Sequence, residues 1–85
     1  MRLATFYAAH LIDLGDQKLS LHSSIVKYHV TEKANEICNT ALQLFGGNGY
    51  VKGNTIERLY RDVRATMIIG GTTELLMSAI FKLFL

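Results

Sequence analysis

Proline is absent from all 85 residues, although average usage of about 5% would place roughly four in a chain of this length. Proline-rich linkers, mucin-like stalks and collagenous stretches are thereby excluded. A disordered tail is also a poor match, because such segments need low hydrophobicity and high net charge, and here 49% of residues are hydrophobic and 19% charged. No run of like charges reaches the five or six residues that mark a nucleic-acid tail, and nine basic against seven acidic side chains leave a formal charge of only +2. Long hydrophobic runs are missing too. The C-terminal stretch LLMSAIFKLFL is interrupted by Lys82 and falls well short of the 18 or more residues that cross a bilayer. The opening MRLATFYAAHLIDLG carries polar His10 and Asp13 and no clear cleavage site, which argues against a signal peptide. Cysteine occurs once, as Cys38, so an internal disulfide is impossible and zinc-ligand spacing is absent. A reducing, cytoplasmic setting is expected.

What is present is helical periodicity. Leu3, Tyr7, Leu11 and Leu14 recur at spacings of four, four and three, which predicts a helix with one apolar stripe ending at Gly15. Asp16, Gln17 and Lys18 turn the chain, and Ser20 is a candidate cap for a second helix reaching Phe45. Its expected apolar stripe is Val30, Ala34, Ile37, Ala41 and Leu44. The segment GGNGY then reads as a loop: Gly46 stops the helix, and Gly47 and Gly49 allow close backbone approach. Asn54 followed by Glu57 resembles a capping box, opening a short helix with Ile56, Leu59, Tyr60 and Val63 inward and Arg58, Arg61 and Arg64 beside them. After an apolar link, GGTTE leads into a last helix with Leu75, Leu76, Ala79, Ile80 and Leu83 inward, capped by Thr72 or Thr73. The expected fold is an all-α bundle of antiparallel helices in a single domain, residues 1–85. A domain of this size buries only about two-thirds of its unfolded surface, so an apolar chain of this kind calls for a partner or a larger parent domain.

Two glycine-rich segments stand at helix ends, and the second meets a helix N-terminus, where unpaired amides and the positive dipole end favour a polar or negative ligand. Simple capping is the alternative. The glycines do not form a dinucleotide fingerprint, since the spacing is wrong and a helix precedes them where the motif demands a strand. The arginine row could bind phosphate or make surface ion pairs with Glu57 or Asp62. His10, His22 and His29 share no metal-binding spacing. Cys38, on the apolar side of the long helix, reads as a small buried hydrophobe.

Taken together, ALQLFGGNGY, ERLYRD and MIIGGTTELL, in that order, resemble the C-terminal helical domain of the acyl-CoA dehydrogenase family. FYAAHLIDLG and SSIVKYHVTEKANEICNTALQ resemble its two preceding helices, so the resemblance covers nearly the whole chain. It implies an incomplete four-helix bundle. The N-terminal helical domain and the flavin-holding middle β domain of the family have no counterpart in these residues. The implied function is that of the C-terminal part of an FAD-dependent enzyme that oxidises an acyl-CoA thioester between its α and β carbons.

The resemblance also implies roles for individual positions. Gln43, Leu44, Phe45, Gly46 and Gly47 match the stretch that approaches the FAD of a neighbouring subunit. Thr72, Thr73 and Glu74 match the segment that hydrogen-bonds a flavin nucleotide, and Gly71 matches a position lying against the thioester. Gly70 stands where many members carry the glutamate base, so no catalytic residue is expected in this chain. Branches similar to the long-chain and isovaleryl enzymes supply that base from an earlier helix. Also implied are acyl-CoA as substrate, electron-transfer flavoprotein as acceptor, and a homo-oligomer or companion chain carrying the missing domains. The 85 residues alone are then expected to be inactive. The rival expectation is a non-catalytic helical association module or split subunit with no flavin role. A nucleic-acid-binding helix pair is a more distant one.

Overall fold

The computed structural model describes residues 1–84. Five helices follow one another, α1 (Arg2–Leu14), α2 (Leu19–Phe45), α3 (Gly47–Tyr50), α4 (Thr55–Thr66) and α5 (Thr73–Phe84), with no strand among the described residues. The all-α expectation holds. α1 ends where Gly15 takes the left-handed conformation, its N–H bonding Ile12 O at 3.1 Å while Asp16 N–H bonds Leu11 O at 3.1 Å. Those are the paired bonds of a Schellman motif.

The second helix does not begin at a serine cap. Asp16 makes the turn, its Oδ1 accepting from the Lys18 N–H at 2.7 Å, and α2 starts one residue before Ser20 with no side-chain cap. Ser20 lies inside the helix, where its carbonyl accepts from the hydroxyls of Ser23 and Ser24. With 27 residues, α2 is about 40 Å long and serves as the spine. α1, α3, α4 and α5 all pack on it, whereas α4 and α5 make no packing contact with each other among the described residues. Asn35 bonds Val63 and Lys27 bonds Thr66, so α4 runs antiparallel to α2 along its C-terminal half. α5 covers the N-terminal half, where Tyr28 meets Met77, Ile80, Phe81 and Phe84.

The layer is thin. The radius of gyration is 15.4 Å, against roughly 12 Å for a compact chain of this length. Among the described residues Ala8, Leu11 and Ile56 are the buried hydrophobic side chains, and the expected stripes are open over much of their length. In α1, Leu11 is 3% exposed but Leu3 is 83% exposed, and in α2 Leu44 reaches 84%. Ile37, Leu59, Leu75 and Leu83, read as inward-facing, are likewise exposed. The physical reason is geometric, because one helix per side of α2 can cover only the arc it touches.

Two local expectations are also corrected. GGNGY is no loop, since Gly47–Tyr50 forms the helical turn α3. Asn54 does cap α4, its Oδ1 accepting from the Ile56 N–H at 3.1 Å, but Glu57 does not close a capping box. Its carboxylate instead bonds the Arg61 guanidinium one turn on.

Candidate functional site

The C-terminal end of α2 closes when the Gly46 N–H bonds Leu42 O at 3.1 Å and Gln43 O at 3.2 Å. Gln43, Gly46 and Gly47 then line an open cleft of about 440 Å³ together with Asn39, Leu42 and Tyr50. Leu44 and Phe45 are not part of that lining. Leu44 faces a separate shallow groove with Ile37 and Ala41, and the Phe45 Cβ stands against Gly49. The sequence therefore brings three of these five positions to one concavity.

The second segment is the turn from α4 into α5. Gly70 and Gly71 take φ of 72° and 122°, a region that side-chain-bearing residues rarely adopt. Thr72 caps α5, its Oγ1 accepting from the Leu75 N–H at 3.3 Å, while the Thr73 N–H reaches back to Met67 O at 3.1 Å. Thr73 is buried and its hydroxyl has no hydrogen-bond partner among the described residues. A buried hydroxyl without a partner costs about 1–3 kcal/mol, and Thr73 Oγ1 keeps its hydrogen-bonding capacity open at the start of α5. The amides of Gly70, Gly71 and Thr72 find no acceptor among the described residues. Glu74, in the first turn of α5 and exposed, complements the helix dipole. At Gly70 a Cβ would meet nothing nearer than Lys27 Cε at 3.9 Å. The position is spatially free, and its backbone conformation favours glycine.

A residue absent from the sequence reading organises this turn. Lys27 Nζ donates to Ile69 O at 2.7 Å, Gly71 O at 2.8 Å and Thr66 O at 3.3 Å. One and two turns further along α2, Thr31 Oγ1 donates to Lys27 O at 2.6 Å, and Asn35 Nδ2 donates to Thr31 O at 2.8 Å and Val63 O at 3.0 Å. Lys27, Thr31 and Asn35 recur every four residues, so the signal was a polar stripe on the face of α2 that meets α4. Apolar periodicity does not register such a stripe.

The two candidate segments do not meet. Lys27 marks the α4–α5 turn and Gln43 the other end, 16 positions along one helix, a separation of about 24 Å. The arginine row splits up: Arg61 pairs with the buried Glu57, which holds its guanidinium above the usual range chiefly through that hydrogen bond, and Arg58 and Arg64 stay exposed. Tyr7 and His22 pack edge to face with ring centroids 5.1 Å apart, joining α1 to α2. Cys38 is a free, half-buried thiol. Among the described residues no cluster could hold a metal ion, and no described helix is long and apolar enough to cross a membrane.

Comparison with known proteins matches residues 1–84 to the family model described as acyl-CoA dehydrogenase, C-terminal domain. The chain is 47% identical over 73 residues to a 3-(aryl)acrylate reductase of Clostridium sporogenes, covering 86% of this chain and 19% of that protein. It is 40% identical over 74 residues to a cyclohex-1-ene-1-carbonyl-CoA dehydrogenase of Geobacter metallireducens, covering 87% and 20%. It is 38% identical over 73 residues to the caffeyl-CoA reductase-Etf complex subunit CarC of Acetobacterium woodii, covering 86% and 19%. The chain thus spans about a fifth of the length of the curated relatives it matches.

Proposed function

Because the chain belongs to the acyl-CoA dehydrogenase family, matching its C-terminal domain, we propose that it supplies flavin-facing and subunit-facing surfaces to an FAD-dependent oxidoreductase acting on the α,β carbon–carbon bond of an acyl-CoA thioester. The observation that carries the reading is the unpartnered, buried Thr73 hydroxyl at the start of α5, beside the open amides of Gly70, Gly71 and Thr72. Such a donor set fits the acceptor-rich ribityl and phosphate part of a flavin nucleotide at a helix N-terminus. FAD, when bound, supplies the hydride chemistry.

The chain's own residues bind and orient in this reading. Thr72, Thr73 and Glu74 hold the nucleotide, and Gly71 brings its backbone against the thioester without a side chain between. Gln43, Gly46 and Gly47, with Leu44 and Phe45 beside them, face the flavin of a neighbouring subunit. The separation of about 24 Å along α2 supports two different flavins for the two segments, and with it a homo-oligomer or a companion chain. No carboxylate stands at Gly70, and the proton-abstracting base comes from elsewhere in the assembly, as in the long-chain and isovaleryl-like branches. Domain limits of 1–85, a cytoplasmic setting compatible with the free Cys38 thiol, and electron-transfer flavoprotein as redox partner complete the proposal. The CarC relative, named as part of an Etf complex, supports that partner. Two of the three relatives carry reductase names, which favours a second reading in which the same site runs in the reducing direction.

Flavin retention tests the reading. Thr73→Val in the assembled protein is expected to weaken FAD retention on dialysis by about tenfold, the value of one charge-assisted hydrogen bond. Retention unchanged in both Thr73→Val and Thr72→Val would remove the α5 start from the flavin site.

A further inference from the structure

The peptide planes of the α4–α5 turn have a direction, and Lys27 sets it. The peptide bonds of this turn are trans, so in each plane the C=O and the following N–H point opposite ways. The Ile69 carbonyl is held on Lys27 Nζ at 2.7 Å, which turns the Gly70 N–H away from the lysine. The Gly71 carbonyl is held at 2.8 Å, which turns the Thr72 N–H away likewise. Both amides lack an acceptor among the described residues. The third carbonyl, Thr66 O at 3.3 Å, belongs to the last turn of α4, where a cation also complements the helix dipole.

An ammonium has three donors and no acceptor, and here each donor has its own carbonyl. Among the described residues no other side chain bonds the backbone between Met67 and Gly71. The glycines at φ of 72° and 122° make the turn permissive on its own, so something outside it must choose among its conformations. We propose that Lys27 is the positioning residue of the ligand-facing turn: its ammonium gathers the carbonyls of residues 66, 69 and 71 and thereby presents the Gly70 and Thr72 amides as an outward pair of donors for an acceptor oxygen of the bound flavin or acyl-CoA. This rests on the flavin reading for the identity of the ligand and on the hydrogen bonds alone for the positioning.

Hydrogen exchange on the assembled protein, read by mass spectrometry of peptides covering 31–45, 55–63 and 66–76, tests it. Thr73 N–H closes the turn on Met67 O at 3.1 Å and reports its opening. Lys27→Met keeps the stem and removes the charge, and it is expected to raise exchange in 66–73 by about tenfold or more, leaving 31–45 and 55–63 unchanged. Lys27→Arg is expected to restore part of the protection, because a planar guanidinium cannot meet three convergent carbonyls as an ammonium does. In wild type, added FAD or butyryl-CoA slows exchange at 70–74, and in Lys27→Met the slowing is lost. Unchanged exchange in Lys27→Met overturns the proposal, and so does a rise spread evenly over the chain. Should Lys27→Met fail to fold, Lys27→Arg decides alone: full wild-type protection and ligand response in 66–74 contradicts the tripod geometry. A Lys27-dependent turn that neither FAD nor butyryl-CoA protects would sink the flavin reading while leaving the positioning intact.

Discussion

A Cβ built on Gly49 would lie 2.5 Å from the Cβ of Phe45 and 3.1 Å from Ile56 Cγ2. This is the point where α3 folds back against the end of α2 and the start of α4, and it is the close backbone approach foreshadowed by GGNGY. The approach is made to the chain's own Phe45 and Ile56.

The three glycines of that segment consequently differ. Gly49→Ala is expected to cost about 1–3 kcal/mol through overpacking, and Gly46→Ala a similar amount through its φ of 65° and ψ of −152°. Gly47, helical with open space around its Cβ position, gains about 0.5–1 kcal/mol on replacement by alanine. Urea midpoints of the three variants check the order; a Gly49→Ala protein as stable as wild type contradicts the packing.

Capping gives a second contrast. Asn54→Ala removes the acceptor of the Ile56 N–H and is expected to cost about 1 kcal/mol. Ser20→Ala, in the interior of α2, is expected to be neutral or slightly stabilising, since serine is the poorer helix former. Thermal unfolding of both variants by circular dichroism distinguishes them, and a larger loss at Ser20 than at Asn54 reverses the assignment of the α2 start.

How much of this was legible follows from the kind of signal each element carries. α1, α4 and α5 have strong periodicity and recognisable ends, Gly15, Asn54 and Thr72, and were placed within a residue or two. The α2 start differs from the Ser20 expectation because a serine near a turn suggests a cap, whereas Asp16 makes the turn through the Lys18 N–H and α2 begins without a side-chain cap. The inward faces were overstated because periodicity says which residues share a face and not whether anything covers it. Of the candidate site, the glycine-rich ends and their hydroxyls were readable from local chemistry plus the family resemblance. Lys27 was not, because its partners are backbone carbonyls about 40 residues away that only the packing of α4 and α5 on α2 brings near.

The uncovered faces lead to a third prediction. The accessible surface is 6444 Å², whereas a compact monomer of 9.5 kDa exposes roughly 5000 Å². The difference, about 1400 Å² on one chain, exceeds the roughly 800 Å² that each partner contributes to a standard protein–protein interface, and Leu3, Phe6, Leu44 and Phe84 are among the exposed apolar side chains. Sedimentation velocity is expected to show concentration-dependent association in the micromolar range, weakened by Leu44→Glu. A monomer at all concentrations would count against covered faces in the assembly.

On the flavoprotein reading the native protein carries FAD, and its flavin content is the decisive measurement. The protein captured from its native cells, washed and denatured, is predicted to release FAD in stoichiometric amount relative to this chain. Its visible flavin absorbance before denaturation is predicted to bleach on addition of an acyl-CoA substrate with no acceptor present. Capture without flavin absorbance, and without FAD after denaturation, would contradict the account and leave a helical association module in its place.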